Sequence, residues 1–201
     1  KKLTSYFKNN IRLNSKIKSV VRNKDYIEIE DNQSKEKYDY VFFACHSNEV
    51  LEILEKPTTN EVEILKALPY QQNNVILHTD SNVMPKNKLS WAAWNYNIDS
   101  QKESPVTLTY NMNILQNIKS KDDLLVTLNP KNPIPKEKII KKLEYGHPKF
   151  SKESIFAQKN NKKISGKNRS FYAGAYWGKG FHEDGVKSAY EAVKIFEGII
   201  K

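Results

Sequence analysis

Glycine is scarce in this chain, at seven residues in 201, and cysteine occurs once, as Cys45. A lone cysteine excludes an internal disulfide framework and fits a reducing compartment. Arginine is almost missing as well: Arg12, Arg22 and Arg169 stand among 33 basic residues, and lysine makes up the rest. No apolar run reaches the roughly 18 residues of a membrane-spanning helix. The opening segment Lys1-Lys2-Leu3-Thr4-Ser5-Tyr6-Phe7 has neither the apolar stretch nor the cleavage signal of a secretory leader. Its first residue is lysine rather than methionine, so a natural start is expected upstream.

Hydrophobic residues at 38% and aromatics at 11%, spread along the whole length, exclude a wholly disordered chain. The length suits one ordinary domain or two small ones with a sizeable core. The net charge of +10 raises the question of nucleic acid. Against it, arginine is the residue whose planar donors fork onto phosphates and bases, and here it is nearly absent. Abundant lysine, asparagine and isoleucine together point to A+T-rich codon usage. The runs Lys136 to Lys142 and Lys159 to Lys167 are therefore read as solvated faces and loops, and no nucleic-acid partner is expected. The expected location is the cytoplasm, with a weak pull toward an anionic inner membrane surface.

Along the chain, residues 1–8 read as the end of a helix, and Ile11 to Leu13, Lys16 to Arg22 and Tyr26 to Glu30 as short strands. Tyr38 to Cys45 is an unbroken apolar run ending in small residues, the pattern of a strand buried on both faces. Helices are predicted over Asn48 to Glu55 and Thr59 to Ala67. Beta-like segments follow at Asn74 to Thr79, Ser90 to Tyr96, Val106 to Tyr110 and Leu124 to Leu128, with no helix between them, which predicts an antiparallel sheet. Ser151 to Lys163 reads as a helix and Phe171 to Gly174 as a short strand. The closing helix, Asp184 to Ile200, carries Val186, Ala189, Val193, Phe196 and Ile200 along one stripe. The fold class is thus α/β or α+β, with α/β ends that form one domain interrupted by an inserted sheet.

Four of the seven glycines (Gly174, Gly178, Gly180 and Gly185) fall between the last strand and the last helix. A strand, a glycine-rich turn and a helix N-terminus make a place for an anionic or hydrogen-bond-accepting ligand, because the first helical N–H groups lack internal partners. A loop that merely turns the chain explains glycine enrichment equally well. The whole string Phe171-Tyr172-Ala173-Gly174-Ala175-Tyr176-Trp177-Gly178-Lys179-Gly180-Phe181-His182-Glu183-Asp184-Gly185 resembles the C-terminal flavin-binding segment of the flavin amine oxidase-like family. Bacterial NAD/FAD-binding oxidoreductases of that family are similar, as is the N-terminal oxidoreductase region of plant cyclopropane fatty acid synthases. Further landmarks in the family's order are Leu77-His78-Thr79-Asp80, Met84-Pro85, Trp91-Ala92-Ala93-Trp94-Asn95-Tyr96, Leu108-Thr109-Tyr110, Leu115-Gln116, Val126-Thr127-Leu128-Asn129-Pro130 and Gly146-His147-Pro148.

The resemblance implies FAD as cofactor. It also implies a Rossmann-like FAD domain in pieces, at 1–56 and 166–201, around a substrate domain at 57–165. The family's first element is a βαβ unit whose G-x-G-x-x-G turn grips the pyrophosphate. No such turn occurs here, which implies the C-terminal part of a larger protein, or two separate polypeptides, and little FAD binding by this chain alone. The missing N-terminal half is then a partner. By resemblance, Gly174 and Ala175 face the ribityl-phosphate portion. Many relatives carry an acid at the second of these positions, and Ala175 cannot supply that contact. Gly180, Phe181 and His182 turn into the helix whose amides face the flavin pyrimidine, with Phe181 as an aromatic wall. Ile17 lies on the strand that meets the adenine, and Ala44 ends the buried strand beside the dinucleotide crevice. Trp91, Trp94 and Tyr96, alternating on one strand, and Tyr110 line either a substrate cavity or an aromatic core.

Other chemistry finds less support. The four histidines and Cys45 lack zinc-ligand spacing, so no metal is expected. Cys45 reads as a buried structural thiol, poorly placed for covalent flavin attachment. No catalytic acid or base stands out. The expected reaction is hydride transfer between an organic substrate and flavin. A lipid acyl chain is the leading substrate class, an amine the rival. A non-catalytic module that docks a lipid-modifying partner is the alternative.

Overall fold

The computed structural model describes residues 2–98 and 107–201. The chain divides into two compact units, Lys1–Tyr70 with Pro148–Lys201, and Gln71–His147. The middle unit is therefore shorter than the expected 57–165. The flanking helices stay with the first unit because Ile64, Leu65 and Ala157 are buried in its core.

In the first unit, β1 (Ser19–Arg22), β2 (Ile27–Glu30) and β3 (Lys35–Tyr38) form an antiparallel meander. The polar turn between β2 and β3 closes on Asp31, whose carboxylate accepts the Gln33 and Ser34 amides at 2.7 and 2.6 Å. Those two bonds hold its pKa below the ordinary carboxylate value. The predicted strand from Tyr38 to Cys45 is broken at Asp39–Tyr40: Tyr38 closes β3, and Val41–Phe43 forms β4 in another sheet. There the chain leaves the meander: Arg169 donates to the Asp39 carbonyl at 3.2 Å and lays its guanidinium over the Tyr40 ring. Ile11 to Leu13 is no strand, and the first helical stretch is a 3-10 segment, Ser5–Asn10, with no buried residue.

Helix α1 (Ser47–Ile53) follows β4, and α2 (Thr59–Lys66) opens on a capping box in which Thr58 accepts the Glu61 amide and Glu61 reaches back to the Thr58 amide. Glu61 also holds a bidentate ion pair with Arg22 of β1 and accepts the Tyr172 hydroxyl at 2.7 Å, all in the interior. Burial pushes this carboxyl up. The hydrogen bonds from Arg22, the Thr58 amide and Tyr172 outweigh burial and hold it below its ordinary value. After the middle unit, which contains the short helix α3 (Met112–Leu115), come α4 (Lys152–Lys159), β10 (Ser170–Tyr172) and α5 (His182–Ile200). The turn into β10 has both Asn168 and Arg169 at positive φ, closed by a Ser170 N–H bond to the Lys167 carbonyl, as a type I′ hairpin turn requires.

Strands β4 and β10 pair in parallel, with Val41 opposite Ser170, Phe42 opposite Phe171 and Phe43 opposite Tyr172. Phe171 and Tyr172 are buried, and α5 packs on this pair through Phe196, whose ring meets Tyr40, Phe42 and Phe171 edge-on. The α5 stripe expected from periodicity is not the one buried. Ala192 is enclosed and Ser188, Ile195 and Phe196 partly so, while Val186, Ala189, Val193 and Ile200 face solvent.

The middle unit is a five-stranded sheet in the order β6-β7-β8-β5-β9. Its strands are β5 (Tyr70–His78), β6 (Trp94–Asn97), β7 (Thr107–Asn111), β8 (Leu125–Leu128) and β9 (Ile139–Pro148), with the one-turn helix α3 (Met112–Leu115) after β7. Strand β6 is antiparallel to β7, β7 to β8, and β8 to β5, as the helix-free run of strands predicts. Val106, at the start of the predicted third segment, lies outside the described residues. The lysine run 136–142, read among solvated faces and loops, opens with a 3-10 turn and continues into β9, where Lys141 and Lys142 are exposed. Among the described residues no helix is long and apolar enough to cross a membrane.

Candidate functional site

In a parallel sheet a ligand crevice lies outside the carboxyl ends of the strands. Here that end is set by register: Tyr172 is opposite Phe43, so Ala44 and Ala173 follow side by side. Ala44 is exposed, and its methyl leaves the strand end uncovered. Gly174 continues β10 in an extended conformation and donates its amide to Ser188 Oγ at 2.9 Å. A Cβ at Gly174 would lie 2.3 Å from the Tyr176 ring, so glycine here makes room for a buried tyrosine.

A short 3-10 turn, Ala175–Trp177, comes next. The Ala175 carbonyl accepts both the Gly178 and Gly180 amides, at 3.0 and 3.1 Å. Gly180 has φ +90, and a side chain would be strained there. The Gln158 side chain of α4 donates to the Tyr176 and Gly178 carbonyls at 2.9 and 2.6 Å and locks the turn in place. Asp184, in the first turn of α5, folds back to accept the Lys179 and Phe181 amides at 3.1 and 3.0 Å. Of the three amides assigned by resemblance to the ligand, Gly180 and Phe181 are thus engaged within the turn. His182 is the first residue of α5, and its amide and that of Glu183 meet no acceptor among the described residues. The Phe181 and His182 side chains are exposed. A hollow of about 420 Å³ opens beside the turn, between α4 and α5, and is lined by Gln158, Trp177, Gly178, Asp184, Ser188 and Ile195 among others. Ile17 sits in the extended residues before β1 and is 36% exposed. The adjacent Lys18 amide donates to the Glu30 carbonyl of β2 at 2.8 Å.

Behind the turn Tyr176 is fully enclosed. Its hydroxyl and the Trp177 indole nitrogen are both buried without a satisfied hydrogen bond among the described residues. Burial pushes the Tyr176 hydroxyl and the neighbouring Cys45 thiol up. Tyr70, stacked on His46 at 4.0 Å, is pushed up to about 12 by burial and by nearby Glu49 and Cys45. These groups stay protonated at neutral pH and behave as core. Among the described residues no three His, Cys, Asp or Glu side chains converge as a metal site would need.

In the middle unit the predicted substrate residues divide. Trp91 is not on the strand. It follows a 3-10 turn, donates its indole N–H to the Pro85 carbonyl at 2.8 Å, and has Lys88 over its ring. Trp94 and Tyr96 do share a face of β6, and register places Trp94 opposite Tyr110 and Tyr96 opposite Leu108. The rows continue across the sheet from Tyr110 to Val126 to Leu77, and from Leu108 to Leu128 to Val75. Eight apolar or aromatic side chains therefore share one face. Toward the β6 edge it is open, with Trp94 42% and Tyr96 58% exposed. The opposite face is mixed, with Ile76 and buried Leu125 beside a row of polar side chains. His78 Nδ1 accepts the Asp80 amide at 3.0 Å, so Nε2 carries the proton and donates to Thr127 Oγ1 at 2.8 Å, which meets Thr109 Oγ1 at 2.9 Å. Sequence inspection missed this two-faced sheet because the pairing of β5 with β8 spans about fifty residues.

No protein-family model and no curated protein matches the sequence. Among solved structures, the chain is similar to a putative protoporphyrinogen oxidase from Exiguobacterium sp. 255-15, with TM-score 0.62 and 12% identity over 93% of this chain and 47% of that one. It is similar to cyclohexylamine oxidase from Brevibacterium oxydans, with TM-score 0.58 and 11% identity over 92% and 48%. A conjugated-linoleic-acid (CLA)-producing fatty acid isomerase from P. acnes gives TM-score 0.56 and 13% identity over 92% and 47%. At these identities the likeness establishes the fold, and the chain spans about half the length of each of these proteins.

Proposed function

We propose that this chain is the C-terminal half of an FAD-dependent oxidoreductase of the amine oxidase-like class. One observation carries the reading: adjacent parallel strands end together at Ala44 and Ala173, and the second runs through a glycine turn into α5, where the His182 and Glu183 amides meet no acceptor among the described residues. The location is the one where α/β sheets bind nucleotides, and partial positive charge stands there. The likeness to two oxidases and a fatty acid isomerase supports it.

The residues at this end suit FAD. Ala44 and Gly174 keep the strand ends free of bulk, and Gly180 shapes the approach to α5. The His182 amide is the donor placed for a ring acceptor, and Phe181, 55% exposed, is available as an apolar wall. When bound, the cofactor would supply two-electron hydride chemistry. The chain's own contribution is positioning and electrostatics: the N-terminus of α5 favours negative charge in front of it. Asp184 and Gln158 hold the turn that aims that terminus.

For the substrate, the apolar face bearing Trp94, Tyr96 and Tyr110 favours an acyl chain over a small amine, since among the described residues no carboxylate stands on that face. The fatty acid isomerase among the similar structures supports the same reading. The alternative, a non-catalytic module docking a lipid-modifying partner, is favoured by the two turn amides already engaged internally. The test is the protein purified together with the coding region upstream of it. A flavin absorbance band, or uptake of added FAD, is expected. A colourless protein that takes up no FAD removes the proposal.

A further inference from the structure

Helix α4 is amphipathic in the reverse sense for a surface helix. Its inner face is small and polar: Ser154 and Ala157 are buried, and half-buried Gln158 reaches in to the Tyr176 and Gly178 carbonyls. Ser154 is spent on the capping box, where its hydroxyl accepts the Ser151 amide at 2.7 Å and donates to the Ser151 carbonyl at 2.8 Å. Ile155 and Phe156, the large apolar residues of the helix, are instead 52 and 60% exposed. A surface helix ordinarily turns such side chains inward.

A single exposed apolar residue needs no explanation, but these two stand in a pattern. At 100° per residue, Lys152, Ile155, Phe156 and Lys159 share an arc of roughly 100°, opposite Ser154, Ala157 and Gln158. The apolar pair is bracketed on that arc by one lysine before it and one after it. The basic character continues at both ends: residues 149–167 hold six lysines, at 149, 152, 159, 162, 163 and 167, and a single acid, Glu153. All six lysines are exposed, and none pairs with a carboxylate among the described residues. Glu153 lies off the arc, in the first turn, where an acid complements the helix dipole. Codon usage can raise lysine content, but it does not set lysines around an outward apolar pair on one helix face.

We propose that this face of α4, with the lysines that follow it, rests on an anionic phospholipid surface, Ile155 and Phe156 entering the acyl boundary and the ammonium groups lying among the phosphates. The proposal goes beyond the flavin reading and does not rest on it. A membrane interface is the partner whose layers match, because an apolar region there is bordered by phosphate. Lysine reaches that border along its own aliphatic stem, and each lysine near an anionic surface adds an attraction that salt screens. The lysines are spread over the helix, the 3-10 turn Asn161–Lys163 and the entry to the β10 hairpin, which suits a diffuse layer of charge. Nucleic acid offers phosphate without an apolar layer for Ile155 and Phe156, and it favours arginine, which residues 149–167 lack. Two apolar side chains are a weak anchor, so the contact should need both anchor and charge and should be reversible.

The experiment sediments the protein, expressed with the coding region upstream of this chain, with vesicles of phosphatidylcholine alone or mixed with an equal part of phosphatidylglycerol. Binding to the mixed vesicles only is expected, and it should fall as sodium chloride rises. I155E/F156E and K152E/K159E should each lower the bound fraction about tenfold. K119E/K121E, the charge change of K152E/K159E at exposed positions of the other unit, should leave it nearly unchanged. Every substituted side chain is exposed, so the variants should fold as the parent does, and circular dichroism verifies it. No binding to mixed vesicles, equal binding to neutral ones, undiminished binding by I155E/F156E, or an equal loss in K119E/K121E overturns the proposal. Retention on duplex DNA without vesicle binding does so as well. Flavin absorbance is read on the same preparations: a colourless protein that still binds the vesicles refutes the cofactor and leaves the lipid contact standing.

Discussion

Glu61→Ala should be among the most damaging single substitutions in the first unit, and the reason is electrostatic. Glu61 is 1% exposed, pairs both oxygens with the Arg22 guanidinium, and accepts the Thr58 amide and the Tyr172 hydroxyl. Removing it leaves a buried guanidinium without its counter-charge and a buried hydroxyl without an acceptor. Breaking a buried pair in this way costs about 3–5 kcal/mol, against a total stability on the order of 5–15 kcal/mol. The assay is urea denaturation of Glu61→Ala, Arg22→Met and the double variant Arg22→Met/Glu61→Leu. The double variant should recover most of the loss, because it removes both desolvated charges. The pH dependence has a defined sign. The folded carboxyl lies below its ordinary value of 4.5, so the unfolded state binds its proton first. The stabilisation is complete above that ordinary value and fades as pH falls through the lower folded value. Glu61→Gln should lack this acid limb. A loss below about 1 kcal/mol for Glu61→Ala, or a double variant as weak as the two single losses added together, would refute the reasoning.

Other substitutions probe the turn and the sheet. Asp184→Ala removes the acceptor of two turn amides and should cost about 1 kcal/mol by thermal denaturation; Asp184→Asn, which keeps an acceptor oxygen, should cost less. Gly180→Ala places a side chain at φ +90 and should cost about 1–2 kcal/mol, whereas Gly198→Ala, in open space on α5, should be neutral or stabilising. Burial holds His78 below its ordinary value of 6.5. The unfolded state therefore takes up the proton first, and stability of the middle unit should rise with pH through that region and level off above it. One proton bounds the slope at about 1.4 kcal/mol per pH unit, and His78→Leu should abolish the rise.

What the sequence reveals follows from how far apart the interacting residues lie. The glycine turn and α5 were readable because a strand, a turn and a helix start are local, and the Thr58–Glu61 capping box is legible for the same reason. The break at Asp39–Tyr40 was not readable: an apolar run looks continuous, and what interrupts it is Arg169, 130 residues away. Strand β9 was hidden by Lys141 and Lys142, which suit an exposed strand as well as a loop. Within the site, Gly174 and Gly180 could be picked out by residue type. That Asp184 would consume the Lys179 and Phe181 amides depended on a side-chain rotamer that no pattern encodes.

The displaced stripe on α5 is the most instructive disagreement between sequence and structure. Periodicity assigns Val186, Ala189, Val193, Phe196 and Ile200 to a buried face, and periodicity is a record of what the helix must exclude from water. The structure encloses Ala192 and half-buries Ser188, Ile195 and Phe196, so of the predicted stripe only Phe196 turns inward. Phe196 is the member of the predicted stripe that does pack inward, against Tyr40, Phe42 and Phe171, because the helix meets the sheet along the flank that Phe196 shares with Ala192 and Ile195 and not along the one that periodicity centres on Val193.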